Sequence, residues 1–166
     1  MSKLQTPLSN FDLEQHLGSQ KIVKYADLKN YKDLYELMPN KVDYCIVLLE
    51  AQKNYGHWTV LVRQGKKFGY FNSYGKKYDS DKSYISKIML KILQENRDEI
   101  QRLITGTGLT KIPYNKVELQ GDSQTCGRYC CFIAIMNSQG YTPKQAVEFL
   151  QKCKTTSYDD LICELV

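Results

Sequence analysis

The sequence has no apolar run long enough to span a bilayer as a helix, so no transmembrane segment is expected. Its opening, MSKLQTPLSNFDLEQ, lacks the basic-then-apolar order of a secretion signal. Together these absences predict a soluble, intracellular protein with no membrane partner. There is no CxxC pair, and His16 and His57 are the only histidines. Structural zinc draws four soft ligands from paired knuckles, so a metal site is not expected. No internal repeat or low-complexity linker divides the 166 residues, which predicts one domain over 1–166, most simply a monomer.

Apolar residues make up 42% and charged residues 25% of the chain, which excludes wholesale disorder. The six cysteines are scattered and mostly sit inside apolar runs, so they are expected as reduced thiols rather than a disulfide framework. Twenty-three basic residues against eighteen acidic ones give a net charge of +5. That balance is compatible with a nucleic-acid partner without demanding one. The basic stretches that suggest one are GKK at 65–67 and GKKYDSDK at 75–82.

Periodicity predicts helices over LSNFDLEQHLG, capped by Ser9 or Asn10 and closed by Gly18, and over YADLKNYKDLYELMPN, stopped by Pro39. Strands follow at VDYCIVLLE, HWTVLVRQ and KKFGYFN, with a Gln64-Gly65 turn between the last two. SYISKIMLKILQENRDEIQRLI reads as the longest helix, YNKVELQ as a further strand, and SYGKKYDSDKSY as an exposed loop. CGRYCCFIAIMNSQG reads as a buried helix, with TPKQAVEFLQKC and SYDDLICELV as helices that close the chain. The expected fold class is α+β, with a mostly antiparallel central sheet flanked by helices.

The segment LQGDSQTCGRYCC, residues 119–131, concentrates the chemistry. Cys126 stands where a loop becomes a helix. Free backbone N–H groups and the positive dipole end there lower a thiol's pKa. The same N–H groups can hold an oxyanion. Gly127 admits a close backbone approach. Cys130 and Cys131 lie deeper in the helix and read as small buried hydrophobes.

A thiol nucleophile needs a base. His57 is the candidate, since His16 falls in a helix that reads as surface. Asn72, at the end of the following strand, is brought beside His57 by hairpin geometry and can orient the ring. Gln120 can donate to an oxyanion beside the Cys126 N–H. Taken singly, each has an ordinary structural explanation: a satisfied histidine, a turn asparagine, a polar strand end. Their force lies in the combination.

The order His57-Trp58, Asn72, Gln120, Cys126-Gly127 resembles that of the adenovirus maturation protease and the ubiquitin-like-protein (SUMO) proteases. The motifs that carry the resemblance are GHWTVLV, YFNSYG and QGDSQTCGRYCCFIAI, spread over roughly 44–140. The resemblance implies a cysteine peptidase fold with the nucleophile at the N-terminus of a buried helix. It assigns Cys126 as nucleophile, His57 as base, Asn72 as orienting residue and Gln120 as oxyanion donor. It also implies cleavage after glycine, at Gly-Gly-X or Gly-X-Gly sites, with Trp58 and Gly127 lining the substrate channel. Many members carry aspartate or glutamate where this chain has Asn72, and some viral members carry asparagine. On that basis Asn72→Asp is expected to keep activity.

Compactness points within this group to a viral or virophage enzyme that trims capsid and core precursors, in host cytoplasm or virus factory and packaged in the virion. A DNA or peptide activator would follow from the same likeness. The alternatives are an isopeptidase acting on SUMO- or ubiquitin-like tags, an acyltransferase on the same fold, and a basic binding module.

Overall fold

A computed structural model describes residues 2–17, 21–113 and 115–166, apart from the side chains at 10, 11, 14 and 16. Gly18 as a helix stop and the surface placement of His16 lie outside the described residues. The chain forms a single α+β domain around a five-stranded mixed sheet of order β1-β2-β3-β4-β5. The strands are β1 (Ile22–Lys24), β2 (Val42–Gln52), β3 (Tyr55–Gln64), β4 (Lys67–Phe71) and β5 (Thr110–Lys111). The central pairs β2–β3 and β3–β4 are antiparallel hairpins, as expected. Both short edge strands run parallel to their neighbours, so the sheet is mixed, with its long central pairings antiparallel. Edge segments this short, two and three residues long, carry no alternation from which a direction could be read.

β2 lies mid-sheet and is buried on both faces, which suits its continuous apolar run. Ile46, Leu48, Trp58, Val60, Val62 and Phe71 form one core with the buried helix α5 (Cys126–Ser138). Cys45, Val47, Leu49, Leu61, Phe68 and Tyr70 form a second core on the opposite face. There they meet Leu28, Leu34, Ile100 and Leu103. Helices α6 (Pro143–Lys152) and α7 (Tyr158–Leu165) pack around α5. Thr142 caps α6 in a capping box with Gln145, and Ser157 caps α7. Ser9 caps α1 (Asn10–Leu17): its hydroxyl accepts the Asp12 N–H, and the Asp12 carboxylate accepts the Ser9 N–H.

Two expected long helices are broken. The 25–38 pattern resolves into a 3-10 turn, Tyr25–Asn30, and a single helical turn, α2 (Leu34–Leu37). Asp33 starts that turn by accepting the Glu36 N–H, so a residue read as helix interior acts as a cap. The 83–104 pattern splits into α3 (Lys87–Ile92) and α4 (Glu99–Ile104). α3 ends when Gln94 takes a left-handed φ of 60°, the Glu95 N–H reaches the Leu90 carbonyl and the Gln94 N–H reaches the Lys91 carbonyl. That is a Schellman close with glutamine where glycine is usual, so no glycine or proline marks it. Described residues 115–120, expected as a strand, form an irregular segment. The Leu119 and Gln120 N–H groups both donate to the Ser73 carbonyl, tying this segment to the end of β4. Among the described residues no helix is long and apolar enough to cross a membrane.

Candidate active site

His57 sits near the start of β3, opposite Leu49 of β2. The two strands approach so closely at a bulge that a Cβ on Gly56 would stand 2.0 Å from the Leu49 carbonyl oxygen. Only glycine fits there, and the pinch fixes the backbone that carries His57. Asn72 follows β4 directly, and its Oδ1 lies 3.0 Å from His57 Nε2. The Tyr74 N–H also donates to Asn72 Oδ1, at 2.8 Å. The Tyr74 ring stacks on the imidazole, centroids 4.8 Å apart. Behind the amide, Asn72 Nδ2 donates to Asp81 Oδ2 at 3.0 Å, and the Tyr70 hydroxyl donates to the same oxygen. A carboxylate accepts only, so the amide nitrogen faces Asp81 and its oxygen faces His57. His57 therefore carries its proton on Nε2 and leaves the Nδ1 lone pair for a partner.

Cys126 opens α5, and its thiol is met by the backbone N–H groups of Gly127, of Cys126 itself and of Trp58. The Trp58 N–H belongs to the peptide that joins His57 to Trp58, so the Cys126 thiol lies against the backbone of the histidine segment. Thr125, the cap residue, makes no side-chain cap; its hydroxyl turns to Asp159 Oδ1 and Ser123 Oγ. The first N–H groups of the helix thereby stay available to the thiol. They lower the thiol's pKa as expected, but burial acts more strongly, and the net shift is upward. Burial likewise pushes His57 down to about 4, partly opposed by the Asn72 hydrogen bond. Burial thus favours the neutral thiol and the neutral imidazole in this site. Both groups are more than nine-tenths buried, and that burial outweighs the lowering expected from the helix terminus.

Gln120 is buried and lines the same cleft as His57. Its Oε1 accepts the Ser73 hydroxyl at 2.6 Å and its Nε2 donates to the Ser123 carbonyl at 2.7 Å. An amide nitrogen has two hydrogens, so one donor remains. A cleft of about 560 Å³ is lined by His57, Asn72, Tyr74, Gln120, Ser123 and Gln124 among others. A second cleft of about 410 Å³ includes Leu8, Leu48 and Trp58 in its wall. The two share Tyr55, Gly56 and Gln124. Trp58 is both a core residue and a cleft wall. Gly127 does admit a close approach, but by Leu8 and Trp58, whose atoms would stand 3.1 and 3.4 Å from an added Cβ. Cys130 and Cys131 are buried in the core.

Several contributing residues carry no signal of their own in the sequence. Gly56 falls just outside the expected strand HWTVLVRQ, yet it is already in β3. Tyr74 is one of thirteen tyrosines. Asp159 accepts from the Gly121 N–H, the Thr125 hydroxyl and the Tyr129 hydroxyl, and so anchors the loop leading to Cys126 from a helix over thirty residues away. Asp81 belongs to the 73–84 stretch expected as an exposed loop. That stretch is irregular, but Ser73, Tyr78, Asp81 and Lys82 are buried. Lys82, read as part of a basic stretch, instead donates to the Glu95 and Arg97 carbonyls.

No protein-family model matches the chain. A solved structure, the central domain of the uncharacterized Lpg1148 protein from Legionella pneumophila, aligns over 97% of this chain and 93% of its own, with 12% identity and a TM-score of 0.49. The uncharacterized protein V9 of Sputnik virophage is 34% identical over 128 residues, which cover 74% of this chain and 72% of that protein. At that identity and mutual coverage, the chain belongs to the family of the Sputnik virophage protein V9.

Proposed function

We propose that the protein is a cysteine peptidase of the adenovirus-protease and SUMO-protease type, cleaving after glycine. The observation that carries this reading is at Cys126: a helix-terminal thiol is met by the N–H of the peptide that joins His57 to Trp58, and the Nε2 of that same His57 is held by Asn72. Such a set is what acyl transfer requires and what core packing alone does not. In the proposed reaction the Cys126 proton passes to His57 Nδ1 as sulfur bonds to the scissile carbonyl carbon. The carbonyl oxygen takes the negative charge and is held by the Cys126 N–H and the remaining Gln120 donor. The carbon–nitrogen bond then breaks as His57 returns its proton to the leaving amine. Water, deprotonated by the same nitrogen, releases the acyl group from sulfur.

The relation to a virophage protein favours the viral role, trimming of capsid and core precursors, over an isopeptidase acting on cellular tags. A nucleic-acid activator is a second proposal. It rests on Lys77 and Lys111, whose ammonium groups converge on the Tyr78 ring at 5.2 and 4.9 Å.

The test is a peptide-library cleavage assay under reducing conditions, read by mass spectrometry. Cuts after glycine that vanish in Cys126→Ala and persist in Cys130→Ala are expected. Loss in Cys130→Ala with retention in Cys126→Ala would reject the assignment.

A further inference from the structure

We propose that Asp81 is a positioning residue of this site: through Asn72 it fixes the His57 tautomer, and it places a buried carboxylate behind an uncharged orienting residue. The inference rests on the peptidase reading of His57 and Cys126. Asn72 Nδ2 donates to Asp81 Oδ2 at 3.0 Å, and Asn72 Oδ1 faces His57 Nε2 at 3.0 Å. The amide is thus the middle member of a three-residue relay.

A neutral amide at position 81 could present either its oxygen or its nitrogen. A carboxylate can only accept, so it draws the Asn72 nitrogen backward and the oxygen toward the ring, where the Tyr74 N–H donates to that oxygen at 2.8 Å and supports the same orientation. That orientation requires the imidazole proton on Nε2, which frees Nδ1 to take the thiol proton. When the imidazolium forms, the nearest negative charge along the relay is Asp81. The charge that other members of the resembled group place on the third residue itself is set one hydrogen bond further back here.

Asp81 is held on target. Its Oδ2 also accepts the Tyr70 hydroxyl from β4. The loop is pinned on both sides of it. Asp79 accepts the Tyr25 hydroxyl and the Ile100 and Gln101 N–H groups. Lys82 donates to the Glu95 and Arg97 carbonyls. Asp81 is 5% exposed, and a carboxylate buried to that degree is costly unless it is bonded, as it is here, by Tyr70 and Asn72.

This arrangement reverses the expectation for Asn72→Asp. A second carboxylate would stand a hydrogen bond from Asp81, and two such groups cannot both ionise. The experiment compares wild type, Asp81→Asn, Asn72→Asp and the swap Asn72→Asp/Asp81→Asn, each checked for folding by circular dichroism. Two readouts are taken: the His57 tautomer by 15N NMR, which needs no turnover, and kcat and KM for a glycine-containing peptide. Wild type is expected wholly as the Nε2–H tautomer, and Asp81→Asn with Nδ1–H appearing beside it. Both single variants are expected to lose about tenfold or more in kcat with little change in KM. The swap, which sets a carboxylate before an amide, is expected to recover at least about tenfold over Asn72→Asp.

An unchanged Nε2–H tautomer in Asp81→Asn overturns the proposal whatever the cleavage assay reads. Should Asp81→Asn not fold, the swap against Asn72→Asp decides it, and a swap no more active than that single variant and no different in tautomer overturns it. A tautomer shift without cleavage in any protein, wild type included, leaves the relay standing and removes the peptidase reading instead.

Discussion

At the scale of single residues, burial decides the charge state of the site. His57 is pushed down to about 4 by burial. Between that pH and 6.5 the unfolded chain binds a proton there and the folded chain does not. Stability from this group therefore rises with pH through that window, by roughly 3 kcal/mol at most. Glu95 is pushed up to about 7, again by burial first; the Glu50 N–H that donates to it opposes the rise, and the Glu50 carboxylate adds to it. It keeps its proton in the folded chain while the unfolded chain has lost it, so its contribution falls as pH rises from about 4.5 to 7. The melting-temperature difference between wild type and His57→Gln should accordingly grow from pH 4.5 to 6.5, and that for Glu95→Gln should shrink. Differences that stay flat would contradict both assignments. The raised Cys126 thiol leads to a further expectation, that its alkylation by iodoacetamide, measured against Cys126→Ala, keeps climbing with pH past 8. A plateau beginning near pH 5 would reveal a preformed ion pair.

At the scale of elements, two backbone positions set the frame. Gly56 lets β2 and β3 close on each other just before His57, where a Cβ would collide with a carbonyl oxygen. Gly56→Ala should cost about 3 kcal/mol in urea unfolding and lower activity with it, because β3 must shift. Gly65, at the β3–β4 turn with φ of 59°, has open space around it. Its alanine variant should cost only about 1 kcal/mol, the strain of the left-handed conformation. The opposite sign is expected at Gln94. It holds φ of 60° in the α3 close, so Gln94→Gly should stabilise by about 1 kcal/mol. A destabilised Gln94→Gly would mean that its side chain contributes more than the strain costs; its Oε1 does accept from Lys29. The sequence carries no mark of this break. Helical periodicity runs through 83–104 without interruption, and a glutamine C-cap looks like any helical glutamine.

At the scale of the whole molecule, the net charge of +5 gathers in one place only partly. Lys82 is withdrawn into the fold, while Lys77 and Lys111 meet at Tyr78. If that pair binds DNA, reversing both to glutamate should reduce the salt slope of binding by about 2. Equal gel retardation of variant and wild type would remove the pair from any such surface.

The sequence by itself determined the elements whose signals are local. These are the doubly buried β2, the β3–β4 hairpin with its Gly65 turn, and α5 to α7. It also determined which side chains were candidates, since His57, Asn72, Gln120 and Cys126 each stand at an element boundary. Hairpin geometry was enough to pair His57 with Asn72, because antiparallel neighbours place the start of one strand near the end of the next. Only the tertiary structure decided what depends on distance across the chain. Asp81 comes from a stretch that composition marks as solvated loop, and its inward turn is set by Tyr25, Tyr70 and the α4 N-terminus. Asp159 reaches the Cys126 loop from α7, and the edge strands pair in parallel through contacts no local pattern encodes. The protonation of Cys126 and His57 likewise follows from how much water the packed domain excludes, a quantity that no residue carries alone.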